Sequence, residues 1–419
     1  MFMKYSHRLI CFAILCLSWG FPTISLASDI VIEVSNPINL QRQQLVELDV
    51  QKIRKKLALS NDQSFIIRNS LGQQVDYQLT YDGKLLVDVA VKPCGKTEYT
   101  VSPGIPEPMH YWVEGKMYPL RKDDIGWEND RGAYRVYGPA LQRTGERSYG
   151  IDVWTKNSKE LDMSTRYYND YEGNVTGWAN AKNGRKDKDI DLHTSFHLDH
   201  GNGLDCYAVG PSMGCGTPAL MIGDSLVLPY CYQKYRILDN GPLRFTLELT
   251  FSPVHIAKDS AVVEHRIISL DKGSNFNCMT VWYTGLAHPR SLAAGIVIHT
   301  ADTHSVVIGD NYVQYADPTD QPEKHGFQLY VAALFPNGAT TRYLPFKHPH
   351  DGIAGHAVGI VKSLKDSQRY TYYFGSAWSS YDVRSQSEWQ LRIEESLQML
   401  EYPLDVYEKG TGERLSNLR

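Results

Sequence analysis

A chain of 419 residues with 43 basic and 47 acidic side chains carries a formal net charge of -4. That balance leaves no basic footprint for nucleic acid, and the length suits one large or two moderate domains. Aromatic side chains make up 11%, with 27 Tyr and 8 Trp, which fits β-rich cores and flat sugar-binding platforms alike.

The N-terminus reads as a secretory signal peptide over residues 1–27. Lys4, His7 and Arg8 are basic, Leu9 to Leu17 is apolar, and Ser25-Leu26-Ala27 is a small-x-small cleavage signal. The apolar run is too short to span a bilayer. The expectation is a periplasmic or secreted protein that starts near Ser28 and does not insert in a membrane. Cys94, Cys206, Cys215, Cys231 and Cys278 remain after cleavage. Their odd number leaves at least one unpaired in a monomer, and most are read as small buried apolar residues.

Residues 28–105 read as a small β-sandwich. Leu45 to Val50 and Leu85 to Val91 alternate, and Asn69-Ser70-Leu71-Gly72 marks a hairpin turn. Pro103 to Pro108 is a proline-rich linker. Residues 106–419 then carry strand after strand: Arg244 to Phe251, Ala261 to Leu270, Asn277 to Tyr283, Gly295 to His299, Phe327 to Leu334, Ala357 to Val361 and Tyr370 to Phe374. One helix stands out, where Ser385 to Glu388 resembles a capping box and Trp389, Ile393 and Leu397 recur every four residues. The expected fold is all-β, a large antiparallel sandwich preceded by a small β domain.

Two segments concentrate chemistry. Lys122 to Arg131 places six charged residues, Asn129 and Trp127 in ten positions, then runs into the alternating Gly132 to Gly138. A strand from Asn129 would set Arg131 and Arg135 on one face, roughly 13 Å apart at about 3.3 Å per residue. That spacing suits two neighbouring sugar subsites. Arginine fits because its planar fork matches a carboxylate. A solvated turn with an edge strand is the plainer reading.

The second segment, Asp187 to His200, alternates, with Ile190, Leu192, Thr194, Phe196 and Leu198 expected inward. It enters the glycine-rich turns His200 to Tyr207 and Val209 to Gly216. Histidine beside carboxylate does acid–base work or binds metal. A divalent ion on His197, His200 and Asp205 is the alternative to a site with no metal or cofactor. His299, His304, His348, His350 and His356 are further candidates, and Lys347 to Ala357 reads as a mobile loop. No nucleophile elbow, phosphate loop or dinucleotide fingerprint occurs.

Arg121 to Leu141 and Asp199 to Gly216 resemble the two motifs of a family of secreted bacterial proteins known only as a domain of unknown function. The first reads R-K-D-D-x-x-W-E-N-D-R-x-A-x-R-x-Y-G-P-A-L, the second D-H-G-x-G-x-D-x-Y-x-V-G-x-x-x-G-C-G. Tyr373 to Ser379 also looks familial. The likeness covers most of the mature chain. Gly126, Gly132 and Met213 depart from the residues expected there. The resemblance implies a role in degrading uronate-containing polysaccharides beside lyases and unsaturated glucuronyl hydrolases, and extends to an ulvan oligosaccharide dehydratase.

The expected reaction is β-elimination on an acidic poly- or oligosaccharide, by a dehydratase or a lyase. It requires a neutralised carboxylate, a base for the C5 proton and an acid for the leaving oxygen. Arg131 with Asn129 is expected to neutralise, His200 to act as base and Tyr207 as acid. Trp127 is expected to form the sugar platform and Arg135 to hold a neighbouring acidic unit, with Lys122, Asp124, Glu128, His197 and Asp205 lining the substrate. The alternatives are hydrolysis by two of Asp124, Glu128, Asp130 and Asp205, or glycan binding without turnover on a mutarotase-like sandwich.

Overall fold

A computed structural model of the protein describes residues 29–184, 193–318 and 326–416. The signal-peptide reading, residues 1–27, lies outside them.

The molecule is nearly all β and all its named strand pairs are antiparallel. The small N-terminal sandwich has two sheets. One holds Asp405–Glu408, Ile30–Ser35, Lys96–Pro103 and Phe65–Asn69 in that order, the other Arg42–Asp49, Lys84–Val91 and Tyr77–Leu79. Alternation sets the inner faces: Leu48, Leu85, Val87, Ile67 and Val101 meet in one core. Val406 and Leu415 belong to that same core, so a C-terminal segment completes the sandwich expected from residues 28–105. Asn69 to Gly72 does turn the chain, with the Gly72 N–H donating to Asn69 O at 2.9 Å.

The large unit packs a five-stranded against a nine-stranded sheet, and Leu292, Ile296, Leu247, Val281 and Phe374 fill the layer between them. Every strand expected there is present, including Arg244–Phe251, Asp259–Asp271, Phe276–Thr284 and Tyr370–Trp378. The helix Gln386–Glu401 starts at Ser385, whose hydroxyl accepts from Glu388 N, while Glu388 accepts from Arg384 N. Trp389 and Ile393 are fully buried on its inner face. Lys347 to Ala357, expected as a loop, is instead a hairpin of Thr340–His350 with Ile353–Leu364, turning at Asp351-Gly352 where both φ angles are positive. His348 and His350 therefore sit on a strand, and His356 is a buried strand residue.

A separate four-stranded sheet orders Asp152–Trp154, Ala133–Val136, Asp124–Asn129 and Val113–Tyr118. The long helix Met163–Lys182 covers it. That helix was not legible in the sequence. Its stretch is rich in Asn and carries two glycines, both unfavourable in helices, and its described buried face is only Met163, Arg166, Tyr167 and Gly173. Tertiary packing holds it: a Cβ on Gly173 would lie 2.0 Å from Thr194 Oγ1. The alternating strand expected over Asp187 to His200 is also corrected. Residues 185–192 lie outside the described residues, and 193–200 form helical turns and bends that bury Phe196 and expose Leu198. Asp and His at every second position satisfy a strand pattern, but Phe196 docks into an aromatic nest of Trp154 and Tyr167 that only a turn can reach.

Candidate active site

Asp124–Asn129 is buried along its whole length although it carries two carboxylates. Its odd positions face the main core, where Trp127 stacks near Phe245 and its indole N–H donates to Asn277 Oδ1 at 2.8 Å. Its even positions face the long helix. There Glu128 pairs with buried Lys156 and accepts from the Met163 N–H at 2.7 Å, a carboxylate placed at a helix N-terminus. A charged strand stays buried because each charge has a partner.

The chain turns at Asp130 to Gly132, and a second strand sets Arg135 opposite Asp152. Arg135 is the hub of the site. Its Nη2 donates to Asp205 at 2.9 Å and to Asp152, its Nη1 lies 3.6 Å from Asp124, and its plane covers Tyr137 and Trp154 at 4.7 and 5.2 Å. Three carboxylates thus share one guanidinium. Burial, then the charge of Asp205, pushes Asp152 up to about 7 despite Arg135. Burial likewise pushes Asp124 up to about 6, against the pull of Arg135 and Arg121. Protons can therefore reside on this cluster near neutral pH.

The segment 193–205 hangs from the same cluster. His197 Nδ1 lies 3.0 Å from Asp205 O and 3.6 Å from its carboxylate. Asp199 accepts from the N–H groups of Gly201 and Gly203 at 2.8 and 3.0 Å. Gly203 has φ +92°, and a Cβ there would lie 2.2 Å from Thr155 O, so only glycine lets the loop close on its neighbour. His200 is exposed, with Nε2 2.9 Å from Ser195 O. A recess of about 140 Å³ opens between this segment and the long helix, lined by Arg166, Asn169, His193, Thr194, Phe196, His200 and Asn202. A larger hollow of about 460 Å³ lies over Gln233 to Arg236 and Glu248 on the nine-stranded sheet. Its lining residues include no histidine, whereas the smaller recess is lined by His193 and His200.

The structure brings Asp124, Arg135, His197 and Asp205 together and puts His200 on the same segment. It places the other expected residues differently. Trp127 is fully buried and presents no face to a sugar. Asn129 is spent on the turn: Oδ1 accepts from the Arg131 and Gly132 N–H groups, and Nδ2 donates to Asp271 O and Ser274 O. Because that turn ends the strand, Arg131 and Arg135 do not share a strand face. Arg131 donates to Gly273 O at 2.6 Å and pairs with Asp382 at 3.3 Å. Arg135 is buried and cannot grip an outer sugar. Lys122 is exposed in a left-handed turn. Tyr207 is 4% exposed in the main core, and burial raises its hydroxyl well above the ordinary range. His197 and His200 take different partners, so they do not converge with Asp205 on one ion, and no metal-holding group occurs among the described residues.

Sequence reasoning missed Asp152, Lys156 and Arg166, and placed His193 on an outward polar face without giving it a role. Asp152-Val153-Trp154-Thr155-Lys156 does not alternate in polarity, and nothing local says that Arg135 lies across the sheet. The departures at Gly126 and Met213 prove to be packing features. A Cβ on Gly126 would lie 2.5 Å from Met163 Sδ, and Met213 is fully buried. Elsewhere, His299 is held between Asp317 at 2.9 Å and Ala208 O at 2.8 Å. Burial opposes its charge, but Asp317 raises its pKa above the ordinary value. His356 accepts from Met213 N and stays neutral, since burial lowers it to about 3.

Fold and site together define a β-sandwich protein with a small N-terminal unit, a large sandwich and a buried carboxylate–arginine cluster under a helix. Residues 34–406 match the model of a family described as a domain of unknown function, DUF4861. The chain belongs to that family. It is 28% identical over 306 residues, 70% of this chain and 68% of the relative, to an uncharacterized protein named P7 from Formosa agariphila. Among solved structures it is similar to an alpha-mannosidase from Enterococcus faecalis, with a TM-score of 0.48, 9% identity and 92% of this chain covered. A glycosyl hydrolase family 38 protein from the same organism gives 0.46, also at 9% identity and 92% coverage. The chain spans about half the length of those two solved chains, 46% and 48%, and likeness at this level carries no argument about activity.

Proposed function

We propose that the protein is an exported carbohydrate-active enzyme that acts by β-elimination on uronate-containing saccharides, as an oligosaccharide dehydratase or a polysaccharide lyase. The observation that carries this reading is the recess in which two exposed imidazoles, His193 and His200, face a buried guanidinium, Arg166, over the aromatic floor of Phe196. Elimination needs an acid–base pair and a cation beside the sugar carboxylate, and these residues supply both. His200 is the candidate base and His193 the candidate acid, in place of buried Tyr207. Asp205, held by Arg135, orients the His197 side of the loop. The resemblance of Arg121 to Leu141 and Asp199 to Gly216 to proteins that work beside lyases and unsaturated glucuronyl hydrolases supports the same class, including an ulvan oligosaccharide dehydratase.

Hydrolysis by paired carboxylates is less well supported. Asp124, Glu128 and Asp205 are each at most 5% exposed and paired, and Asp130 accepts from the Gly273 N–H. The test is incubation with a panel of uronate oligosaccharides, read by mass spectrometry. Loss of one water without cleavage indicates a dehydratase, and cleavage to an unsaturated end a lyase. Cleavage with gain of water, or no change of mass across the panel, would refute elimination.

A further inference from the structure

We infer that Arg166 is an oxyanion receptor, and that the recess between the helix Met163–Lys182 and residues 193–202 is a binding site for a carboxylate or sulfate group on a saccharide. Arg166 is only 4% exposed. Its Nη1 donates to Thr155 O at 3.1 Å and its plane covers the Trp154 ring at 4.7 Å, which fixes the head group. Its Nε and Nη2 are buried and have no hydrogen-bond partner among the described residues. Those two donors form one edge of the guanidinium fork, the edge that takes a planar carboxylate or two oxygens of a sulfate. Buried donors left unpaired are costly, and an arginine that lines a cavity with an unpaired edge is built for a ligand that enters the cavity.

The side-chain carboxylates around the recess are engaged with partners other than Arg166. Glu128 already pairs with Lys156, Asp205 with Arg135, and Asp199 accepts from Asn157. None of the carboxylates forms an ion pair with Arg166 among the described residues, and burial lowers the Arg166 pKa although Asp162 and Glu128 raise it. A recess of about 140 Å³ is small beside the roughly 300 to 1,000 Å³ of drug-sized pockets. It suits the charged end of one sugar unit, with the rest of the chain outside.

This site deepens the elimination reading but is tested by binding alone. The wild-type protein is titrated by calorimetry with glucuronate, with selenate as the sulfate mimic, and with glucose. The expected result is binding of glucuronate or selenate at least about tenfold tighter than glucose, the fold-change of one charge-assisted fork. Whichever anion binds better names the source. Arg166→Lys is expected to bind that anion about tenfold more weakly than wild type while unfolding at a similar temperature, because an ammonium keeps the charge but not the fork. An anomalous selenium peak beside Arg166 in crystals soaked with selenate supports the site directly. Equal affinity for glucuronate, selenate and glucose in the wild-type protein overturns it, even if the variant fails to fold. So does anion binding that Arg166→Lys leaves unchanged. Anion binding without any new alkene from uronate oligosaccharides retains this site and removes the elimination reading.

Discussion

Arg135 and Arg131 have parted roles. Arg135 sits at the centre of three carboxylates, so Arg135→Ala leaves buried charges without their partner. The expected cost is roughly 3–5 kcal/mol, seen as a lower denaturant midpoint, whereas a variant of wild-type stability would mean that the cluster is hydrated and weakly coupled. Arg131 is partly exposed and holds Asp382 and Gly273 O. Arg131→Ala should change turnover little, which steady-state kinetics would check once a substrate is in hand. Trp127→Phe should cost about 1–3 kcal/mol through the lost donor to Asn277, read by thermal unfolding. The cluster also sets a pH dependence. Asp124, Glu128 and Asp152 have folded pKa values raised above their unfolded ones, first by burial, so the native state binds more protons than the unfolded chain. Stability should therefore fall as pH rises from the ordinary carboxylate range through about 7. His299, also raised, acts in the same sense: its contribution is full below the unfolded histidine value and fades as pH rises through the folded one. Unfolding free energies of wild type and Asp152→Asn, measured at mildly acid and mildly alkaline pH, should show a slope that the variant flattens.

The elements that carry the site are two strands, a tight loop and one helix with little intrinsic propensity. The plainer reading of Asp124–Asn129 is a charged surface segment, because charge runs usually are. It is buried because the helix Met163–Lys182 closes its outer face. The loop depends on Gly203. Gly203→Ala should push the backbone off Thr155 and displace His200 and Asp205 together. The expected result is impaired saccharide binding with less than proportionate loss of global stability, separable by calorimetry and denaturation on the same sample. The alternating pattern failed at 193–200 for a definable reason. Period 2 marks a strand only when one face meets a sheet, and here Phe196 inserts singly among Trp154 and Tyr167.

At the scale of the molecule, the C-terminal segment returns to the N-terminal sandwich. Asp405–Glu408 pairs with Ile30–Ser35, and Val406 and Leu415 are buried there. Arg244 then ties the two units, bonding Glu47 at 2.8 Å and Asp271 at 2.5 Å. Residues 28–105 expressed alone should remain largely unfolded by circular dichroism, and a covalently joined copy of 402–416 should restore the strand signal. A folded 28–105 fragment would show that the returning strand is dispensable.

The sequence by itself determined the β class, the strands of the large sandwich, the capped helix at Ser385 and the two segments where ionisable groups gather. Each is written in local periodicity or a cap, within reach of a few neighbours along the chain. It also marked Asp124, Arg135, His197 and Asp205 as candidate substrate-binding residues. Only the tertiary structure decided what they do. Whether Trp127 meets sugar or Phe245, whether Arg135 binds substrate or three carboxylates, and whether Arg166 counts at all depend on which faces the helix and the turn 193–200 cover. Those contacts join residues far apart in the chain, and burial, which sets both charge state and access, exists only once they form.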